Sequence, residues 1–173
     1  MDAYRRHINA KFHQELRTSH DLHAWSVANP QQFWLDVYDY IGIVPPLAPG
    51  MMHAYDASIP MSSVPEWFEG VRLNYAENVL VNADRDLEAV ALIGIREGQD
   101  LDGEKVTWKE LRERVRILRS ALLGIGVKEG ERVAALVSTS IWAVVLFLAS
   151  ASMGAVFTSI SPDLGIEVRM GLR

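Results

Sequence analysis

Cysteine is absent from all 173 residues. That excludes disulfides, thiolate catalysis and cysteine-ligated zinc. It fits a reducing compartment, and a cytoplasmic location is the expectation. An excess of positive charge is missing too. The net charge is -5 and the isoelectric point about 5.5, so neither nucleic acid nor an anionic membrane is an expected partner. The opening Met-Asp-Ala-Tyr-Arg-Arg-His-Ile-Asn-Ala-Lys has no apolar core of a secretory signal. It is amphipathic and contains arginine, but Asp2 and Glu15 count against a mitochondrial presequence. No Walker sequence occurs, no nucleophile elbow and no paired carboxylates at cleft spacing. Residue types alone therefore yield no catalytic residue and no metal site. That negative carries weight, because an enzyme using ATP needs a place to hold triphosphate.

Charge is also missing locally. From Val133 to Pro162 there is not one charged residue, long enough to span ~30 Å of hydrocarbon. Ser138-Thr139-Ser140 interrupts the run, as do Ser150, Ser152 and Gly154, and the fully apolar piece Ile141–Ala149 is too short to cross alone. A strand-helix-strand unit buried on both faces accounts for the same composition and for its interruptions. What is present is ordinary globular material: 49% hydrophobic and 23% charged residues, with five each of Trp, Tyr and Phe. Disorder is excluded on that ground. A chain of this length buries about 70% of its unfolded surface.

Tyr4, Ile8, Phe12 and Leu16 recur every fourth residue, which predicts a helix over 3–17. Thr18-Ser19-His20-Asp21 breaks it, and Leu22–Val27 reads as a short helical turn. Asn29-Pro30 is an N-cap with proline at the first helical position. Phe33, Trp34, Val37, Tyr38 and Ile41 then form one stripe before Gly42 stops the helix. Pro45, Pro46, Pro49, Pro60 and Pro65 mark residues 44–65 as a surface connector, in which Met51, Met52, Tyr55 and Ile59 call for burial. Trp67-Phe68-Glu69-Gly70 is a turn with two aromatic anchors, and Asn74-x-x-Glu77 is a capping box.

Beyond it the period changes. Strands are expected over Ala89–Ile95, Lys105–Trp108, Arg132–Val137 and Ala155–Ile160. A long helix carries Leu111, Val115, Leu118, Leu122 and Ile125 on its buried face, with Thr107-x-x-Glu110 as its capping box. A second helix, nearly all apolar, runs Ser140–Met153. Strands alternating with helices mean right-handed parallel crossovers. The fold class is α/β: a helical N-terminal segment (1–43), a Pro-rich connector (44–66) and an incomplete parallel βαβαβ unit (67–173).

Three constellations have plain structural readings. Gly124-Ile-Gly126-Val-Lys-Glu-Gly130 imitates a dinucleotide fingerprint, but these glycines close a helix and enter a strand. A phosphate loop does the reverse. His20-x-x-His23 has no third ligand at a helpful spacing. Arg112, Arg114, Arg116 and Arg119 interleave with Glu110 and Glu113, which describes a solvated helix face.

The block Trp67-Phe68-x-Gly70-x-x-Leu73-Asn74-Tyr75-Ala76-Glu77-Asn78, the earlier His23-Ala-Trp25-Ser26 with Gln32-Phe33-Trp34, and Leu148-Ala-Ser-Ala-Ser-Met-Gly-Ala-Val156 together resemble the adenylate-forming acyl-CoA synthetases, and within them the acetoacetyl-CoA synthetases (acetoacetate–CoA ligases). The resemblance spans essentially the whole chain. It implies a two-step ligase: acetoacetate attacks the α-phosphate of ATP to give an acyl-adenylate, and the CoA thiol then displaces AMP. ATP, Mg and CoA are the implied cofactors of the full-length family. The family's phosphate loop, adenine motif and catalytic lysine have no counterpart here, so the expectation is a truncated large domain that is inactive alone and binds no cofactor alone. The resemblance also implies a CoA nucleotide contact at Phe157, Thr158 and Ser159. Acetyl-specific relatives have two glycines at the last two positions, and a plain strand end is the competing reading. Expected partners are the rest of a synthetase chain, or a second copy, meeting an uncovered sheet. A non-catalytic module that pairs with a synthetase or another chain is the alternative function.

Overall fold

The computed structural model describes residues 1–81, 86–98 and 103–163. Contacts divide the chain into two compact units, Met1–Arg72 and Leu73–Arg173.

The first unit holds three helices: α1 (Asp2–Phe12), α2 (Ser19–Ala28) and α3 (Pro30–Ile41). α1 stops short of the predicted 3–17. His13 adopts a left-handed conformation at φ 52° and ends it. The Asn9 side chain then grips the returning chain, donating to the Leu16 carbonyl and accepting from the Leu16 amide, both at 2.9 Å. Leu16 still reaches the cluster of Ile8, Leu22 and Trp25 beside Tyr4 and Phe12. The four-residue spacing named the right core residues and the wrong backbone for the last of them. α2 is longer than predicted, because Thr18 is its N-cap and forms a capping box with Asp21. Asn29 precedes α3 but gives it no side-chain cap; its amide donates instead to the Trp25 carbonyl at 3.0 Å, finishing α2.

Two parts of the first unit depart from the stripe pattern. Tyr38 is buried, but Trp34 and Ile41 remain 40% and 47% exposed. In the connector, Met52 is 73% exposed, while Ala54 and Pro65 are buried. A polar clamp explains this. Gln31 accepts from the Ala54 amide at 2.7 Å and donates to the Tyr55 carbonyl at 2.8 Å. Backbone groups of the strap are thereby satisfied without burying Met52. Trp67 pairs with Tyr55 through an isolated bridge and packs on its ring at 4.7 Å.

The second unit contains α4 (Tyr75–Val81), β1 (Val90–Gly94), β2 (Glu104–Thr107), α5 (Trp108–Gly124), β3 (Arg132–Leu136), α6 (Ile141–Ser152) and β4 (Val156–Ile160). Its core is Ala76, Val106, Leu111, Val115, Ile141, Val145, Leu148 and Ala149. Asn74 accepts from the Glu77 amide at 3.0 Å and donates to the Ala151 carbonyl at 2.9 Å, so the start of α4 is tied to the end of α6.

The α/β class stands, and one feature of the expected sheet is corrected. β3 and β4 pair in parallel across α6, in register from Arg132↔Val156 to Leu136↔Ile160. β1 and β2 do not extend that sheet among the described residues; they form an antiparallel hairpin of their own. The connection after Gly94 is too short for the crossover helix that a parallel pair requires. Among the described residues only β3–α6–β4 is therefore a parallel crossover, and α5 joins two different sheets.

α5 ends in a Schellman motif. The Gly126 amide donates to Leu123 and the Val127 amide to Leu122, with Gly126 at φ 95°. Ile125, expected on the buried stripe, is 79% exposed at this corner. Nothing lies within 4 Å of a Cβ built on Gly126 or on Gly124, so substitution tests backbone conformation alone. Gly126→Ala costs about 1 kcal/mol. Gly124→Ala sits inside the helix and is neutral or stabilising by up to about 1 kcal/mol. Urea titration of the two variants checks this; equal midpoints for both would contradict the motif.

Candidate functional site

Open α/β sheets bind ligands beyond the carboxyl ends of their parallel strands. Here those ends are Ser138-Thr139-Ser140 after β3 and Ser161-Pro162-Asp163 after β4. The Val137 amide donates to the Ile160 carbonyl at 3.1 Å, holding the two exits side by side. Ser140 is the N-cap of α6, in extended conformation, and its hydroxyl makes no capping bond. Ser161 donates to Asp163 at 3.1 Å and accepts from the Asp163 amide at 3.3 Å, which folds the second exit into a tight turn.

Phe157, Thr158 and Ser159 lie consecutively in β4, opposite Val133, Ala134 and Ala135. Strand alternation puts Phe157 and Ser159 on one face and Thr158 on the other. Phe157 packs on Phe147 of α6, with ring centroids 5.7 Å apart. Ser159 is exposed and Thr158 half-buried. Of the three, the two hydroxyls are the groups available to a polar ligand, and the phenyl ring is committed to packing. The opposite face of the sheet carries Leu136 and Val156, which are 51% and 56% exposed.

A cavity of about 430 Å³ lies between the β1–β2 hairpin and the start of α6, where Ile93, Ile95, Arg96, Thr139, Ser140 and Trp142 line it. The hairpin comes close: a Cβ on Gly94 would stand 2.9 Å from Ile141 Cδ1. Arg114 closes the same region. It donates to Glu104 at 2.9 Å and covers the Trp142 ring at 5.6 Å. Sequence pattern placed Arg114 on a solvated face; it ties α5 to β2 and α6. Arg116 does follow the surface pattern, pairing with Glu113 in the same helix at 2.6 and 2.7 Å.

The glycine series 124–130 closes α5 and turns into β3, as its order implied. His20 and His23 are exposed on α2, and no group of three histidines or carboxylates with metal-binding geometry occurs among the described residues. No helix among them is long and apolar enough to cross a membrane.

The buried charge lies in the first unit and was not legible in the sequence. Asp36 is 3% exposed. It accepts from His7 Nε2 at 3.0 Å on both oxygens and pairs with Lys11 at 2.6 Å. Burial resists its ionisation but is outweighed by Lys11, His7 and Tyr4, which hold its carboxyl below the usual range. The Tyr4 hydroxyl is buried beside it without a hydrogen bond of good geometry. Burial, reinforced by the Asp36 carboxylate, pushes that phenol well above its ordinary value. The cluster joins α1 to α3; its lone pairs are spent on helix docking rather than on a ligand.

Comparison with known proteins identifies the family. The AMP-binding enzyme model matches residues 80–169. Acetoacetyl-CoA synthetase of Xenopus tropicalis is 39% identical over 96% of this chain, which spans 24% of that protein. Malonamoyl-CoA synthetase vrtB of Penicillium aethiopicum is also 39% identical over 96% of the chain, covering 23% of its own length. Among solved structures, acetoacetyl-CoA synthetase from Streptomyces lividans superposes with a TM-score of 0.77 at 32% identity, covering 94% of this chain and 24% of that one. The chain thus spans about a quarter of the length of the curated relatives it matches. With more than half of its residues inside the family model and its fold matching the first part of a synthetase, this chain belongs to the AMP-binding enzyme family.

Proposed function

We propose that this chain serves as the N-terminal part of an ATP-dependent acid–thiol ligase that activates acetoacetate and joins it to CoA. The observation that carries the reading is the 39% identity to an acetoacetyl-CoA synthetase across 96% of the chain. A malonamoyl-CoA synthetase matches equally well. The two relatives share thioester formation with CoA and differ in the acyl group. Mg and ATP belong to the activation step of the whole enzyme, in a cytoplasmic setting. The face bearing Leu136 and Val156 is proposed to pack against the rest of a synthetase-length chain or against a second copy.

Among its described residues the 173-residue chain offers no glycine-rich loop opening a helix to cradle triphosphate. It is expected to form no AMP from ATP in the presence of acetoacetate and CoA. Acetoacetate-dependent AMP above a substrate-free control, from protein cleared of contaminating ligase, would overturn this. Thr158 and Ser159 are proposed to meet the CoA nucleotide. In a synthetase-length protein carrying this segment, Thr158→Val with Ser159→Ala raises the KM for CoA several-fold and leaves the KM for ATP in place. An unchanged KM for CoA returns both to plain strand residues.

A further inference from the structure

No further inference is drawn: the strongest candidate, the apolar groove between α1, α2 and α3 lined by Tyr4, Leu22, Phe33, Val37 and Ile41, carries nothing because nothing in the structure shows what covers it.

Discussion

Asp36→Asn lowers the stability of the helical unit by about 2 kcal/mol at neutral pH. Removing one partner of a fully buried ion pair costs roughly 3–5 kcal/mol, because the other charge is stranded. Lys11 keeps 44% of its side chain in water and His7 32%, so both recover hydration and the loss is smaller. Asparagine keeps the shape and one acceptor but offers Lys11 no charge. α1 should loosen first, since its hydrogen bonds to Asp36 come from His7 and Lys11, one turn apart. Urea unfolding with hydrogen exchange on α1 reads the effect. Identical midpoints for the two proteins would show that apolar contacts around Ile8 suffice to dock the helix.

The same carboxylate sets a pH dependence. Its folded pKa lies below the ordinary value of 3.8, so the unfolded chain takes up its proton first as pH falls. The stabilisation is whole above the unfolded value and fades as pH drops through the folded one. Asp36→Asn should therefore flatten the stability profile below about pH 4 relative to the parent. Tyr4 adds an alkaline counterpart, its phenol being held neutral by burial and by the carboxylate. Neutralising Asp36 removes the second of these influences and brings the Tyr4 titration back toward the ordinary tyrosine range.

The helices and strands were legible because their signals are local. Thr107 with Glu110, and Gly126, act within one turn of the residues they cap. Tertiary choices were not local. Nothing around Asp36 distinguishes it from Asp39 three residues on, yet one is 3% exposed and the other solvent-facing; the difference lies in cations on α1, more than twenty residues earlier. Gln31 likewise fixes the strap through backbone groups of residues 54 and 55. The hairpin was missed for a related reason. A strand pattern names the buried face but does not name the neighbour, and β2 had two candidates, β1 behind it and β3 ahead. At the proposed CoA contact, sequence supplied positions by resemblance. Geometry then separates them: Phe157 packs on Phe147, and the hydroxyls of Thr158 and Ser159 lie toward the sheet's two faces.

Concentrating the 173-residue chain leads to self-association, seen by light scattering as a mass above 19.4 kDa. Among the described residues, the β3–β4 sheet has two strands and thus an unpaired edge on either side. Such edges template pairing with another chain. α6 covers one face of this sheet; on the other, Leu136 and Val156 are half in water. Register Arg132↔Val156 to Leu136↔Ile160 puts these two apolar side chains at opposite ends of one face, with Thr158 and Ile160 between or beside them. Covering each would gain about 1 kcal/mol. Trp142 and Phe147 add exposed aromatic surface on α6, at 55% and 36%. A net charge of -5 opposes contact only weakly at physiological ionic strength. Leu136→Lys with Val156→Lys removes the attraction at little cost to folding, because both side chains are already about half solvated. The double variant should scatter as a 19.4 kDa monomer while melting within a few degrees of the parent. If the parent itself stays monomeric at high concentration, this face is not a docking surface for a second copy. If the lysine variant associates as strongly as the parent, the contact runs through another surface, with Trp142 and Phe147 the next positions to change.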